Sequence, residues 1–161
     1  MLDEHKKELL ARMRGWCARQ ERCSTDVLQR FQGEGASKDD AEAMLLQLTT
    51  EGFVDDLRFT ESFVSGHFRI KHWGRMKIRH ALRQKGISDG MIERAIRKEI
   101  NPVTYRETLE ELLRRRLPAD HPPSAGGENY KAKAKIMAWA YRKGFEGDLV
   151  AQVLDELWSV R

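Results

Sequence analysis

Between His67 and Lys85 the chain reads HFRIKHWGRMKIRHALRQK: seven cations (Arg69, Lys71, Arg75, Lys77, Arg79, Arg83 and Lys85), three histidines and no acidic residue. Like charges at helical spacing repel by roughly a few tenths of a kcal/mol per pair, so an ordinary solvated face mixes its signs. An unmixed run of this kind suits an anionic partner. Arg75, Arg79 and Arg83 follow at i, i+4 and i+8, a row that matches phosphates along a strand, where each neutralised phosphate releases counterions. Trp73 opens the same helix and has two readings, packing between neighbouring segments or stacking on a base or an arginine plane. The stripe also has a bland reading, a solvated helix face.

Other chemistry is poorly supported. His67, His72 and His80 lack the i, i+4 spacing and acidic third member of a zinc site, and Cys17 and Cys23 form a C-x₅-C without a second pair. No metal or cofactor is expected, and the two cysteines read as ordinary thiols. There is no Gly-rich phosphate loop after a strand, no G-x-S-x-G elbow and no H-E-x-x-H, so no enzyme is expected. Asp55 and Asp56 precede a helical run and read as caps, with a partner contact or a bridge to Arg58 as the competing reading.

Charge locates the field. Residues 1–56 carry 8 Lys/Arg against 12 Asp/Glu, residues 57–100 carry 11 against 4, and residues 101–161 carry 10 against 9. The overall +4 therefore hides a strongly basic middle. At 40% hydrophobic and 34% charged, the chain can bury a thin core. No apolar run approaches the roughly 20 residues that span a bilayer, and the charged start MLDEHKKELLARM lacks a signal region. A cytoplasmic protein with no membrane association is expected.

Three segments share one plan: a helix, a short gap, a second helix ending in glycine, and a third helix. With Gly35, Gly86 and Gly144 aligned, Val27, Ile78 and Ile136 fall in register. So do Phe31, Leu82 and Ala140, then Met44, Ala95 and Val153, then Leu45, Ile96 and Leu154. Apolar residues recur at three and four, as in Leu9, Leu10, Met13, Trp16 and Cys17, or Phe59, Phe63, Val64 and Phe68. The aligned glycines suit left-handed helix stops. Ser24, Ser37 and Ser88 stand where caps are wanted, and Pro102 fits a first helical turn. Nothing alternates with period two. The expected fold is all-α: three tandem three-helix repeats forming an elongated, curved helical array. The repeats are read as 1–55, 56–100 (the basic one) and 101–161, the last with a loop insertion at 117–127, LPADHPPSAGG. Trp16, Trp139 and Trp158 sit at helical spacing from apolar neighbours and are expected in the core.

The alignment also compares chemistry at equivalent slots. Arg75 matches Lys133, Lys77 matches Lys135 and Lys85 matches Lys143, whereas the first repeat holds Ser24, Asp26 and Glu34 there. Core constraints do not explain this, because Val27, Ile78 and Ile136 stay apolar throughout. The second and third repeats are therefore expected to meet a polyanion, with Lys131 and Arg142 beside Lys133, Lys135 and Lys143.

The stretch EGFVDDLRFTESFVSGHFRIKHWGRMKIRHALRQKGIS strongly resembles the central segment of the RecX family of recombination regulators. The matching features are Gly52, Phe53, Asp55 and Asp56, then Arg58–Phe59, Lys71, Gly74, the triplet Lys77–Ile78–Arg79, Leu82, and the exit Lys85–Gly86–Ile87. CARQERCSTDVLQRF is similar to the family's first repeat, and the third repeat matches in helical plan. Thr60 stands where alanine is common, and the insertion lengthens the last repeat. The resemblance implies a regulator of the RecA recombinase, and a monomer is expected. Such a protein binds along the groove of the RecA filament on single-stranded DNA, inhibits strand exchange and ATPase activity, and binds bare DNA weakly without sequence preference. The alternative is a stand-alone nucleic-acid-binding helical protein in which the fifth and sixth helices act as a helix-turn-helix around Lys85–Gly86–Ile87.

Overall fold

A computed structural model describes residues 3–118 and 127–159. Nine α-helices and no strand occur among them: α1 Glu4–Arg19, α2 Ser24–Gly33, α3 Lys38–Thr50, α4 Asp56–Arg69, α5 Arg75–Gln84, α6 Asp89–Glu99, α7 Pro102–Arg114, α8 Gly127–Arg142 and α9 Gly147–Ser159. The fold is all-α. None of these helices is long and apolar enough to cross a membrane. Residues 119–126, the bulk of the predicted loop insertion, lie outside the described residues.

Local chemistry sets the helix ends. Ser37 Oγ accepts from the Asp40 N–H at 3.1 Å, Asp55 Oδ1 from the Arg58 N–H at 3.0 Å, and Ser88 Oγ from the Met91 N–H at 3.3 Å. Asn101 caps α7 through its Oδ1, with Pro102 in the first turn, where a missing N–H costs nothing. Ser24 behaves differently from expectation: it makes no side-chain cap, and its own N–H donates to Asp56 Oδ1 at 2.7 Å. A carboxylate from the start of α4 thus covers the start of α2, where the helix dipole also favours negative charge. Thr60 is fully buried, and its hydroxyl donates to the Asp56 carbonyl at 2.6 Å.

The three aligned glycines end α2, α5 and α8 in the left-handed region, with φ of +92°, +77° and +100°. Each makes the same double closure. In the second, the Ile87 N–H reaches the Leu82 carbonyl at 3.1 Å and the Gly86 N–H reaches Arg83 at 3.0 Å. The turn after α4 uses His72 instead, at φ +56°.

The residues pack as two compact units, Met1–Phe63 with Leu82–Ala95, and Val64–Ala81 with Ile96–Arg161. In the first, Leu9, Leu10, Met13, Cys17, Val27, Phe31, Met44 and Leu48 form a continuous core, with Trp16 and Leu45 partly buried against it. In the second, Tyr105 lies between Phe68 and Phe145, ring centroids 5.7 and 5.1 Å away, above buried Leu109, Leu113, Val150 and Leu154. The registers read from the repeat are buried at Val27, Ile78 and Ile136, and at Phe31, Leu82 and Ala140.

Three tryptophans depart from expectation. Trp16, Trp139 and Trp158 are half-buried at core margins. The Arg22 guanidinium stands 4.1 Å from the Trp16 ring centre, Arg116 3.9 Å from Trp139, and the Lys133 ammonium 5.5 Å from Trp158. Their spacing resembles that of core residues, but an indole can bury one face and offer the other to a cation.

A candidate polyanion interface

Within the second unit, the start of α5 is held by the chain around Gly144. The Gly74 N–H donates to the Lys143 carbonyl at 2.7 Å, and the Met76 N–H donates to the Gly144 carbonyl at 3.0 Å. Between them, the Arg75 N–H donates to the Tyr105 hydroxyl at 3.0 Å. Helix α5 has no acidic residue in its first turn, so the third repeat supplies the acceptors its exposed N–H groups need. The approach is very close. A Cβ on Gly74 would lie 2.2 Å from the Gly144 carbonyl carbon, and a Cβ on Gly144 would lie 2.4 Å from Lys77 Cβ.

Tyr105 also donates a short hydrogen bond to Glu146 Oε1. Burial, then that bond, holds the phenol well above its ordinary pKa, so it stays a neutral donor. Arg75 closes this group: its guanidinium lies 4.0 Å from the Tyr105 ring centre, and its Nε lies 2.8 Å from Glu146 Oε2. That approach is off the N–H axis, making it an ion pair rather than a directed hydrogen bond.

The expected binding residues therefore divide. Arg75 faces inward to Glu146. Arg83 pairs with Asp89 at 2.8 Å, Lys85 with Asp26 at 3.1 Å and Lys133 with Asp155 at 2.7 Å. Arg79 is half-buried one turn beyond Arg75. Arg69, Lys131, Lys135 and Arg142 are exposed. The i, i+4, i+8 arginine row is thus no bare cationic stripe, because both of its ends are engaged within the chain.

What comes together instead is a cluster around Trp73. Lys77 stands 4.4 Å and Lys71 5.6 Å from the Trp73 ring centre, and His67 packs on the same indole at 4.6 Å. Trp73 is half-buried and acts as a platform that lines up two ammonium groups. Lys143 is half-buried alongside, its Nζ donating to the Lys71 carbonyl at 2.7 Å. Burial, then the positive charges of Lys77 and Arg116, push the Lys143 pKa down. Lys71, Lys77, Lys143 and Arg116 have no acidic partner among the described residues. Arg116, which reasoning from sequence missed, also lines a cleft of about 480 Å³ with Leu112, Arg115 and Trp139. Its signal in the sequence, the run Arg114–Arg116, lies outside the aligned helices.

Residues 55–96 match the family model described as "RecX, second three-helix domain", and residues 104–154 match "RecX, third three-helix domain". The two models belong to one family, occur in order and together cover more than half of the sequence. The chain belongs to the RecX family. Among curated RecX relatives, a "Regulatory protein RecX" from Prosthecochloris aestuarii is 27% identical over 157 residues, covering 98% of each chain. Another of that name, from Pseudomonas fluorescens, is 28% identical over 137 residues, covering 85% of this chain and 83% of its own. The crystal structure of RecX from Lactobacillus salivarius superposes with a TM-score of 0.80 at 20% identity, over 97% of this chain and 98% of that one. A second RecX crystal structure gives 0.75 at 21% identity, over 96% and 79%. These two likenesses establish the RecX fold.

Proposed function

We propose that this RecX-family chain is a negative regulator of a RecA-type recombinase, binding along the RecA filament on single-stranded DNA and inhibiting strand exchange and ATP hydrolysis. The observation that carries the reading is the group Lys71, Lys77, Lys143 and Arg116, four cations without an acidic partner among the described residues, on a chain whose relatives are named regulatory proteins. Concentrated positive potential of this kind favours a polyanion and contributes affinity without reading sequence. The exposed Arg69, Lys131, Lys135 and Arg142 extend the set, while Arg75 acts by fixing the start of α5. Arg79, Arg83, Lys85 and Lys133 contribute where their internal partners yield to phosphate. The work is binding, with no catalysis.

The discriminating experiment compares affinity for a labelled oligothymidine alone with affinity for the same strand coated by the cognate RecA and a slowly hydrolysed ATP analogue. Weak, sequence-independent binding to the bare strand and tight binding to the filament are expected. The helix-turn-helix alternative draws on the short turn from α5 to α6. Tight binding to a preferred duplex without RecA would establish it and reject the filament reading.

A further inference from the structure

The repeat plan brings a glycine turn onto the start of an equivalent helix twice, through a threonine hydroxyl in one place and backbone bonds in the other, and the two junctions differ in charge. In the first unit, the turn that ends α5 lies on the start of α2. The Thr25 hydroxyl donates to the Lys85 carbonyl at 2.8 Å, and a Cβ on Gly86 would lie 3.0 Å from that hydroxyl. Lys85 Nζ then meets Asp26 at 3.2 and 3.1 Å from its two carboxylate oxygens. In the second unit, the turn that ends α8 lies on the start of α5, with the Met76 N–H on the Gly144 carbonyl at 3.0 Å.

The glycine alignment makes Thr25 equivalent to Met76, Asp26 to Lys77 and Lys85 to Lys143. The ion pair of the first junction is therefore replaced by two ammonium groups in the second. Lys143 is half-buried, and Arg116 and Lys77 both act on it electrostatically. Such a pair is unfavourable in the isolated chain, and the equivalent slot of the first junction holds a carboxylate in its place. An anion delivered from outside supplies what Asp26 supplies internally.

We propose that the Lys77–Lys143 junction, with Lys71 and Arg116, is a phosphate site that holds one phosphodiester of a single-stranded DNA backbone in the place corresponding to the Asp26 carboxylate. The proposal rests on the nucleic-acid reading above. Trp73 fixes the ammonium groups of Lys71 and Lys77, so the site needs little ordering on binding.

The test is Lys77→Asp, which rebuilds the first junction's ion pair at the second. Without nucleic acid, the variant should melt about 1–3 °C above the wild type, as expected for exchanging a local repulsion for an ion pair. The salt dependence of oligothymidine binding should flatten, its log–log slope falling by about 1.4 as two cations are withdrawn from the strand. Inorganic pyrophosphate should raise the melting temperature of the wild type and leave that of the variant unchanged. Asp26→Lys is the reciprocal change: it should lower the melting temperature and confer extra stabilisation by pyrophosphate.

An unchanged slope together with an unchanged or lowered melting temperature in Lys77→Asp overturns the proposal. Should that protein not fold, Lys77→Gln carries the test, with a slope decrease of about 0.7 expected and no decrease overturning it. These measurements contain no RecA, so they separate two failures. A flattened slope with full inhibition of RecA keeps the phosphate site and rejects its use on the filament.

Discussion

Gly74→Ala gives a direct view of how the cationic cluster is held. The new Cβ would stand 2.2 Å from the Gly144 carbonyl carbon, 2.3 Å from its oxygen and 2.3 Å from the Phe145 nitrogen. All three are backbone atoms, so no side-chain rotation relieves the clash. The turn must withdraw by more than an ångström. The bonds from the Gly74 N–H to Lys143 at 2.7 Å and from the Met76 N–H to Gly144 at 3.0 Å are then lost. Each is worth about 1 kcal/mol net, and a donor left buried without an acceptor costs about as much again, so about 3 kcal/mol is expected. For a chain of this size the melting temperature should fall by about 6–12 °C.

The control is Gly66→Ala in the interior of α4, where a Cβ meets nothing within 4 Å. It should stabilise by about 0.5–1 kcal/mol. Thermal melts followed by circular dichroism at 222 nm compare the three proteins, and the RecA ATPase assay then reports whether displacing Lys143 from Lys77 weakens inhibition. A Gly74→Ala protein that melts with the wild type would refute the reasoning that this backbone contact organises the site.

Three further outcomes are expected. Asp56→Ala leaves the start of α2 without its carboxylate and should cost about 1 kcal/mol in urea denaturation, whereas Ser24→Ala should cost much less, since that side chain makes no cap. Reversing Arg75, Lys77 and Arg79 to Glu cannot be a pure surface change: Arg75→Glu sets a carboxylate against Glu146, so the triple variant should lose stability, while Lys71→Glu with Lys77→Glu should abolish inhibition and melt no lower than the wild type. Burial pushes the Cys23 thiol up to about 11 from an ordinary 9.0, so the folded chain keeps its proton where the unfolded chain has lost it. Stability present below pH 9 should therefore decline as pH rises towards 11, and Cys23→Ala should show a shallower alkaline limb in pH-dependent melts.

Much of the fold was legible because glycine and apolar spacing are local signals. The stops at Gly35, Gly86 and Gly144 require positive φ, and the registers at Val27, Ile78 and Ile136 follow from helical period alone. The slots Asp26, Lys77, Lys85 and Lys143 were legible too, as members of an alignment. Their pairing was not, since alignment compares a residue with its equivalents and not with the residue it faces one repeat away. That is why the arginine row looked like the binding face: the spacing of Arg75 says nothing of Glu146, 71 residues onward in sequence. Arg116 was missed for the same reason, being non-periodic and brought to Lys143 by tertiary packing.

The most direct test is the single-stranded-DNA-dependent ATPase of the cognate RecA, with this protein titrated in well below one copy per RecA. Strong inhibition at those ratios by the wild type, and its loss in Lys71→Glu with Lys77→Glu, is the expected result. Undiminished hydrolysis, or inhibition equal in the two proteins, would contradict a filament regulator working through this cationic cluster.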